Sequence, residues 1–217
     1  MTTDAPPRRR FDPASVRLIA ITDSLRNGPR GLALRAAAAV AGGATMIQLR
    51  LKEESARSLV EIARILRAAV PEVPLIINDR ADVALAAGAD GVHVGVDDLS
   101  PAVLRRFVPA GFIIGASVGD DDEVDRAAGA DYVGIGPVYA TGSKADAGVA
   151  IGPQRFAQLA RRCGVPAVAI GGISSDTVAD VMAAGASGIA VISALFGSTD
   201  PTQAALDLIS ALGASGR

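Results

Sequence analysis

Short runs of apolar residues alternate along the chain with longer stretches in which apolar and polar residues mix. The short runs are rich in Val and Ile, which is typical of strands buried on both faces. The longer stretches are rich in Ala, Leu and Arg, which favour helices. Helices are predicted near residues 30–41, 55–69, 80–87, 100–107, 120–128, 153–162, 174–184 and 201–212.

Four segments repeat one pattern, in which a Gly-Ala pair leads through a polar residue into a short apolar run. The segments begin with Gly43-Ala44-Thr45, Gly88-Ala89-Asp90, Gly129-Ala130-Asp131 and Gly185-Ala186-Ser187. Each glycine follows a helical stretch and is predicted to end it in the left-handed conformation. The glycines are 45, 41 and 56 residues apart, which corresponds to two strand–helix units rather than one. Each interval must therefore contain a second strand.

The additional strands are predicted at Val73–Asn78, Phe112–Ser117 and Pro166–Ile170, and a further strand, Arg17–Thr22, precedes the first repeat. Eight strands that alternate with helices predict a parallel sheet with helical crossovers. The expected fold is α/β, a single (β/α)8 TIM barrel, with a doubly wound open sheet as the alternative. Residues 15–213 are assigned to the barrel, and the Pro- and Arg-rich residues 1–14 to a mobile N-terminal tail.

The composition narrows the classes of partner. The net charge of −2 gives no reason to expect nucleic acid or an anionic membrane, and no apolar run approaches the ~20 residues that span a bilayer. Cys163 is the only cysteine, which is consistent with a cytoplasmic location. A zinc site is disfavoured because His93 is the only histidine, and a structural role is predicted for it. The oligomeric state is left open, a homo-oligomer included.

The end of the second strand carries the sequence Gln48-Leu49-Arg50-Leu51-Lys52. Active sites of barrel enzymes lie at the carboxyl ends of the strands. In an extended chain Gln48, Arg50 and Lys52 share one side. Two cations there indicate recognition of a phosphorylated substrate. The alternative is a surface Arg and Lys that open the second helix.

Two neighbouring strand ends carry carboxylates. Asp79 follows the third strand, and Asp97 and Asp98 lie in the loop after the fourth. With no His or Cys beside them, paired carboxylates favour Mg²⁺, a cation that binds oxygen and often bridges substrate phosphates. Each Asp taken singly is equally well explained as a helix cap.

The remaining strand ends are rich in small and hydroxyl-bearing residues. Strand five ends in Ser117, and the long loop 137–152 contains Thr141-Gly142-Ser143-Lys144, a segment suited to wrapping phosphate or to lying in solvent. Strand seven ends in Gly171-Gly172, and strand eight in Ile192-Ser193. The loops after strands seven and eight commonly bind phosphate in this fold.

The order of these motifs resembles the thiamine phosphate synthase family from about Arg17 to Phe196. The matching segments are Ile21-Thr22-Asp23, Gln48-Leu49-Arg50-x-Lys52, Asn78-Asp79-Arg80, Gly91-Val92-His93-Val94-Gly95-x-x-Asp98-Leu99, Gly134-Ile135-Gly136-Pro137, Thr141-x-Ser143-Lys144 and Ile170-Gly171-Gly172-Ile173. The resemblance implies that an aminomethylpyrimidine diphosphate is coupled to a hydroxyethylthiazole phosphate. The products are thiamine phosphate and pyrophosphate.

The resemblance also implies roles for individual residues. Asp79 and Asp98 would hold Mg²⁺, and Arg50, Lys52 and Lys144 would be catalytic cations. The implied pyrimidine diphosphate site consists of Gln48, Leu49, Arg50, Leu51, Lys52, Asn78, Ser117 and Lys144. The implied thiazole phosphate site consists of Thr141, Gly142, Ser143, Gly172, Ile192 and Ser193.

The sequence departs from the family pattern at a few positions. Leu51 stands where the family usually has Glu, and Val96-Asp97 where it usually has Gln-Glu. A thiazole tautomerase-like isomerase and a non-catalytic barrel that binds thiamine intermediates are the alternative functions. The retained set of carboxylates and cations favours the synthase, because an isomerase has no diphosphate to release.

Overall fold

Eight parallel strands close into a barrel in the computed structural model, which describes residues 10–22, 24–142 and 148–214. Each strand pairs with its neighbour in sequence, and β8 pairs with β1. The strands are β1 Leu18–Ile21, β2 Met46–Leu49, β3 Leu75–Asn78, β4 Gly91–Val94, β5 Ile113–Val118, β6 Tyr132–Ile135, β7 Ala167–Ile170 and β8 Gly188–Val191. The predicted (β/α)8 barrel is therefore confirmed.

Helices follow the strands and cover the outside of the barrel. Those of the described ranges are α1 Gly28–Ala41, α2 Ala56–Ala69, α3 Ala81–Ala87, α4 Pro101–Leu104, α5 Asp121–Arg126, α6 Gly152–Cys163, α7 Val178–Ala183, α8 Ser193–Phe196 and α9 Pro201–Ala214. None of them is long enough, with its composition, to cross a membrane.

Three helices differ from the sequence expectation. The helix predicted from residue 174 begins at Val178, because Ser174 and Thr177 first form a turn in which the Ser174 N–H donates to Thr177 Oγ1. The helix predicted over 100–107 ends at Leu104 and continues only as turns. The four-residue helix α8 was not predicted at all.

The repeated Gly-Ala segments fasten the amino-terminal end of the barrel. All four glycines have positive φ, as predicted. The polar residue of three of these segments accepts a hydrogen bond from a backbone N–H of the preceding strand. Thr45 accepts from Leu18 at 2.9 Å, Asp90 from Leu75 at 2.8 Å and Asp131 from Ile114 at 2.7 Å. Arg67 and Arg105 add an ion pair to Asp90 and Asp131. Each of these polar residues thus clamps its strand to the preceding one.

Replacing Asp90 by Ala is expected to lower the free energy of unfolding by about 2–4 kcal/mol. The substitution removes the acceptor of the buried Leu75 N–H. It also removes the carboxylate partner of Arg67, which keeps the Val70 and Val73 carbonyls as acceptors. Urea unfolding measures the loss. Asp207→Ala is the control, because this exposed carboxylate accepts from Gln203 on the surface of α9. A loss no larger than the control's would contradict the clamp.

The barrel interior is filled by its own cluster of buried side chains, separate from the larger core between sheet and helices. At its amino-terminal end the ring of Phe11 stacks on Tyr132, with 6.1 Å between centroids. A short 3-10 helix, Pro13–Val16, follows, with Asp12 as its N-cap. Of the predicted tail, residues 1–9 lie outside the described residues.

Candidate active site

A cavity of about 580 Å³ opens at the carboxyl ends of the strands. Residues at the ends of strands β2 to β8 line it, so almost every loop on this face contributes. The amino-terminal end of the barrel carries the clamps described above, so stability and candidate chemistry lie at opposite ends. The position of the cavity agrees with the sequence expectation.

The end of β2 sends alternate side chains to opposite sides. Arg50 and Lys52 line the cavity, and Gln48 lies in the barrel interior, where its Nε2 donates to Asn78 Oδ1 at 2.8 Å. Leu49 and Leu51 do not line the cavity, because they pack against the core between sheet and helices. Two of the five implied residues of this motif are thus turned away by strand alternation. The segment is held in place by Thr22, whose Oγ1 accepts from the Arg50 N–H at 2.8 Å.

Asp79 occupies a strained position at the end of β3. Its φ is +61°, and the Arg80 N–H donates to the Asn78 carbonyl at 2.7 Å across it, which makes a tight three-residue turn. The Asp79 N–H donates to the His93 carbonyl of the neighbouring strand at 2.7 Å. Asp tolerates positive φ better than most residues. The turn carries the Asp79 side chain to the cavity beside Asn78.

The carboxyl groups of Asp79 and Asp98 lie close enough for the charge of one to act on the other. Burial raises the pKa of Asp79, and the charge of Asp98 raises it further, while Lys52 and Arg50 oppose the shift. Asp98 is itself positioned by the Gly95 N–H, which donates to its Oδ2 at 2.8 Å. Two close carboxylates that repel each other favour a cation between them.

The composition of this pair decides which cation it suits. In the described part of the chain, no three His, Cys, Asp or Glu side chains gather into a metal site. Asp79 and Asp98 therefore supply two oxygen ligands, and a metal would take the others from substrate and water. Mg²⁺ is commonly bound in this way, by one or two carboxylates and the phosphates of a substrate. The residues present fit that ion.

The opposite wall of the cavity is formed by the ends of β7 and β8. Gly171 and Gly172 have φ of +90° and +66°, and their backbone lines the cavity. A Cβ on Gly172 would lie 2.6 Å from Tyr139 Cβ and 2.7 Å from the Ala140 carbonyl oxygen. Ile192 and Ser193, which precede and begin α8, line the same wall. Backbone loops after strands seven and eight with a short extra helix are the usual phosphate site of this fold.

The long loop after β6 contributes residues on both sides of the segment 143–147, which lies outside the described residues. Thr141 and Val149 line the cavity, while Gly142 is exposed and does not. Ser143 and Lys144 lie outside the described residues, so their implied roles stay predictions. The same holds for Asp23 of the first motif.

Several residues that the sequence did not assign to the site also line the cavity, among them His93 and Glu123. His93 points into the barrel interior at its floor, where Nε2 lies 3.1 Å from Ser117 Oγ. Strand alternation was the available signal, because His93 stands two residues before Gly95 on the same side. Glu123, in the first half of α5, accepts from the Gly119 N–H at 2.6 Å and also lines the cavity. No sequence pattern marked it.

Known proteins share both the sequence and the architecture. A family model described as thiamine monophosphate synthase matches residues 18–195. The thiamine-phosphate synthase of Xanthobacter autotrophicus is 47% identical over 204 residues, which cover 92% of this chain and 97% of the relative. That of Azorhizobium caulinodans is 48% identical over 200 residues, covering 90% and 94%. The solved thiamine phosphate pyrophosphorylase from Pyrococcus furiosus superposes with a TM-score of 0.82 at 35% identity, covering 94% and 99%.

Proposed function

Because this chain belongs to the thiamine monophosphate synthase family, we propose that the cavity at the carboxyl end of its barrel holds both substrates of the coupling reaction with Mg²⁺. The protein is a transferase that joins 4-amino-2-methyl-5-pyrimidinylmethyl diphosphate to hydroxyethylthiazole phosphate. The products are thiamine phosphate and pyrophosphate. The strongest support for this use of the cavity is that a carboxylate pair and a Gly-Gly wall face one space of about 580 Å³.

Asp79 and Asp98 would hold the Mg²⁺ ion. Their closeness, the raised pKa of Asp79 and the oxygen-only donor set support this assignment. When bound, the ion would neutralise negative charge that accumulates on the departing diphosphate.

Arg50 and Lys52 supply fixed positive charge beside the carboxylates. Both line the cavity, and both lower the pKa of Asp79, which means that they lie close enough to act on the same charges. In our proposal they bind the diphosphate and stabilise it more as its negative charge grows. Lys144, by its place in the motif, would join them.

Asn78 and Ser117 would orient the pyrimidine diphosphate from the floor of the cavity. The side-chain oxygen Oδ1 of Asn78 already accepts from Gln48 Nε2, so the side-chain nitrogen Nδ2 is left to donate toward the substrate. Gln48 therefore acts on the substrate through Asn78. Ser117 stands on β5, with its hydroxyl between His93 and the cavity.

The thiazole phosphate would lie against the ends of β7 and β8. Gly172, Ile192 and Ser193 form this wall, and Thr141 reaches it from the loop after β6. Gly142 and Ser143 complete the implied set. With the phosphate anchored here and the diphosphate anchored at Asp79 and Arg50, the two substrates face each other. Holding them so replaces an encounter in solution with a reaction between fixed neighbours.

We also propose a cytoplasmic location, since the one cysteine of the chain offers no internal disulfide. The partners in this proposal are small phosphorylated molecules, and neither a nucleic acid nor a membrane takes part.

The direct test is a coupling assay with both substrates, with Mg²⁺ and then with EDTA. Thiamine phosphate and pyrophosphate are expected in equal amounts with Mg²⁺, and a loss of at least about 100-fold in rate is expected with EDTA. Restoring Mg²⁺ should restore the rate. Undiminished coupling in EDTA would contradict the carboxylate site. Folded protein that isomerises the thiazole phosphate but couples nothing would favour the tautomerase-like alternative.

A further inference from the structure

A chain of hydrogen bonds runs through the barrel interior to the floor of the cavity. The hydroxyl of Tyr132 lies 3.2 Å from His93 Nδ1, and His93 Nε2 lies 3.1 Å from Ser117 Oγ. Tyr132 is 1% exposed and His93 9%, so both polar side chains are buried inside the barrel. Of the three, Ser117 and His93 reach the cavity, while Tyr132 lies beneath it.

The neighbouring residues hold the two rings in place. A Cβ on Gly115 would lie 2.5 Å from His93 Nδ1 and 2.6 Å from the Tyr132 hydroxyl oxygen, so only glycine leaves room for the pair. A Cβ on Gly134 would lie 3.3 Å from His93 Cε1. Phe11 stacks on the Tyr132 ring from below, with 11° between the planes. The contact between phenol and imidazole is therefore fixed by packing on several sides.

The burial of Tyr132 sets the direction of the hydrogen bonds. Burial, together with the charge of Asp131, raises the pKa of Tyr132, so the phenol keeps its proton. A buried hydroxyl proton without an acceptor is costly. Among the described residues, the hydrogen-bond partner found for this hydroxyl is His93 Nδ1. Tyr132 therefore donates to Nδ1, and the proton of the neutral imidazole lies on Nε2.

The tautomer of His93 in turn orients Ser117. With its proton on Nε2, the imidazole donates to Ser117 Oγ, and the hydroxyl hydrogen of Ser117 is left to point into the cavity. A diphosphate carries only acceptor oxygens at neutral pH, so it needs donors. In the other tautomer Ser117 would donate to Nε2 and would present lone pairs to the anion.

We propose that Tyr132 is a positioning residue, which fixes the tautomer of His93 so that Ser117 presents a hydrogen-bond donor to the pyrimidine diphosphate. This inference deepens the proposed function and rests on it for the identity of the ligand. Tyr132 itself touches no substrate and acts through two intervening hydrogen bonds.

The steady-state kinetics of a double-mutant cycle test this chain of hydrogen bonds. Tyr132→Phe removes one hydroxyl and is expected to raise the KM for the pyrimidine diphosphate roughly tenfold, the effect of one charge-assisted hydrogen bond. The KM for the thiazole phosphate should not change. In the Ser117→Ala background, Tyr132→Phe should have no further effect. Additive losses, an equal rise in both KM values, or unchanged kinetics would overturn the proposal.

The single histidine of the chain permits a second test that does not depend on activity. In untagged protein labelled with ¹⁵N, the two imidazole nitrogens of His93 can be assigned by NMR without interference from other histidines. The wild type should show an unprotonated Nδ1 and a protonated Nε2, and Tyr132→Phe should shift the ring toward the other tautomer. A protonated Nδ1 in the wild type would exclude the mechanism. If the wild type shows the expected tautomer but does not catalyse the coupling reaction, the proposed function is wrong, while the hydrogen bonds from Tyr132 through His93 to Ser117 are confirmed.

Discussion

Asp79→Asn is expected to lower kcat/KM of the Mg²⁺-dependent coupling at least about 100-fold and to make the substrate-free protein more stable. The activity falls because an amide is a poor ligand for Mg²⁺ and removes one of the two carboxylates in the described site. Asn tolerates the positive φ of 61° at this position as well as Asp does, so the turn is retained. Activity falls while stability rises because the charge of Asp79 is needed to bind the ion but destabilises the substrate-free fold.

The stability change follows from the raised pKa of Asp79. Burial and Asp98 make the ionised carboxylate less favourable in the folded chain than in the unfolded chain. The wild type therefore loses stability as the pH rises from about 4, the ordinary pKa of an Asp, through the raised folded value. Asp79→Asn has no such proton to lose. Its advantage should be small at pH 4 and larger at pH 8.

Thermal unfolding in EDTA at these two pH values measures the difference, and the coupling assay measures the activity. The control is Asp82→Asn, an exposed carboxylate three residues away that pairs with Arg80 at 2.6 Å on the surface. It should alter neither activity nor the pH dependence appreciably. An Asp79→Asn protein that is less stable than the wild type at pH 8 would show that its charge is stabilised in the free protein, contrary to our interpretation.

Gly172→Ala is expected to reduce kcat/KM about 100-fold, chiefly through the thiazole phosphate. The added methyl group would stand 2.6 Å from Tyr139 Cβ and 2.7 Å from the Ala140 carbonyl oxygen, so the loop after β6 would have to move away from the wall. The positive φ of 66° adds strain of about 1–2 kcal/mol for any residue with a Cβ. The KM for the thiazole phosphate should rise, and the protein should lose stability.

Gly164→Ala separates these two contributions. Gly164 has the same φ of 66° at the end of α6, but a Cβ there would meet no atom within 4 Å. This variant should lose about 1–2 kcal/mol in urea unfolding and keep its activity. If the two alanine variants had equal activity, the close contact at Gly172 would not be needed for function.

The fold was predictable because its signals are repeated. Four Gly-Ala segments at two-unit spacing identified the barrel, and the helix boundaries agreed wherever a helix was long enough to show a periodic face. Helix α8 was missed because four residues, Ser193–Phe196, are too few for any period. The start of α7 was misplaced by the Ser174–Thr177 turn, in which side-chain hydrogen bonds compete with the helix.

The candidate site was predictable where strand alternation sufficed. It put Arg50 and Lys52 on the cavity side, and the same rule turns Leu49 and Leu51 toward the helices, although the family motif includes them. The closeness of Asp79 and Asp98 depends on a strained turn and on the Gly95 N–H, which no local pattern encodes. His93 was assigned a structural role, and the contact that makes it more than structural lies on other strands, at Tyr132 and Ser117.

The clamps at Thr45, Asp90 and Asp131 join β1 to β2, β3 to β4 and β5 to β6, so each of them holds together a module of two strands. The two partners of each clamp lie in one continuous span of the chain, namely residues 18–45, 67–90 and 105–131, and these three spans do not overlap. The end of α6 at Cys163 marks the boundary between the third module and the last two strands. It lies outside all three spans and does not line the cavity. A barrel opened there would keep both partners of every clamp in one continuous fragment. A break inside one of the spans would instead place the two partners of a hydrogen bond or ion pair on separate pieces. We therefore expect the fold to survive an opening between modules better than a cut within one.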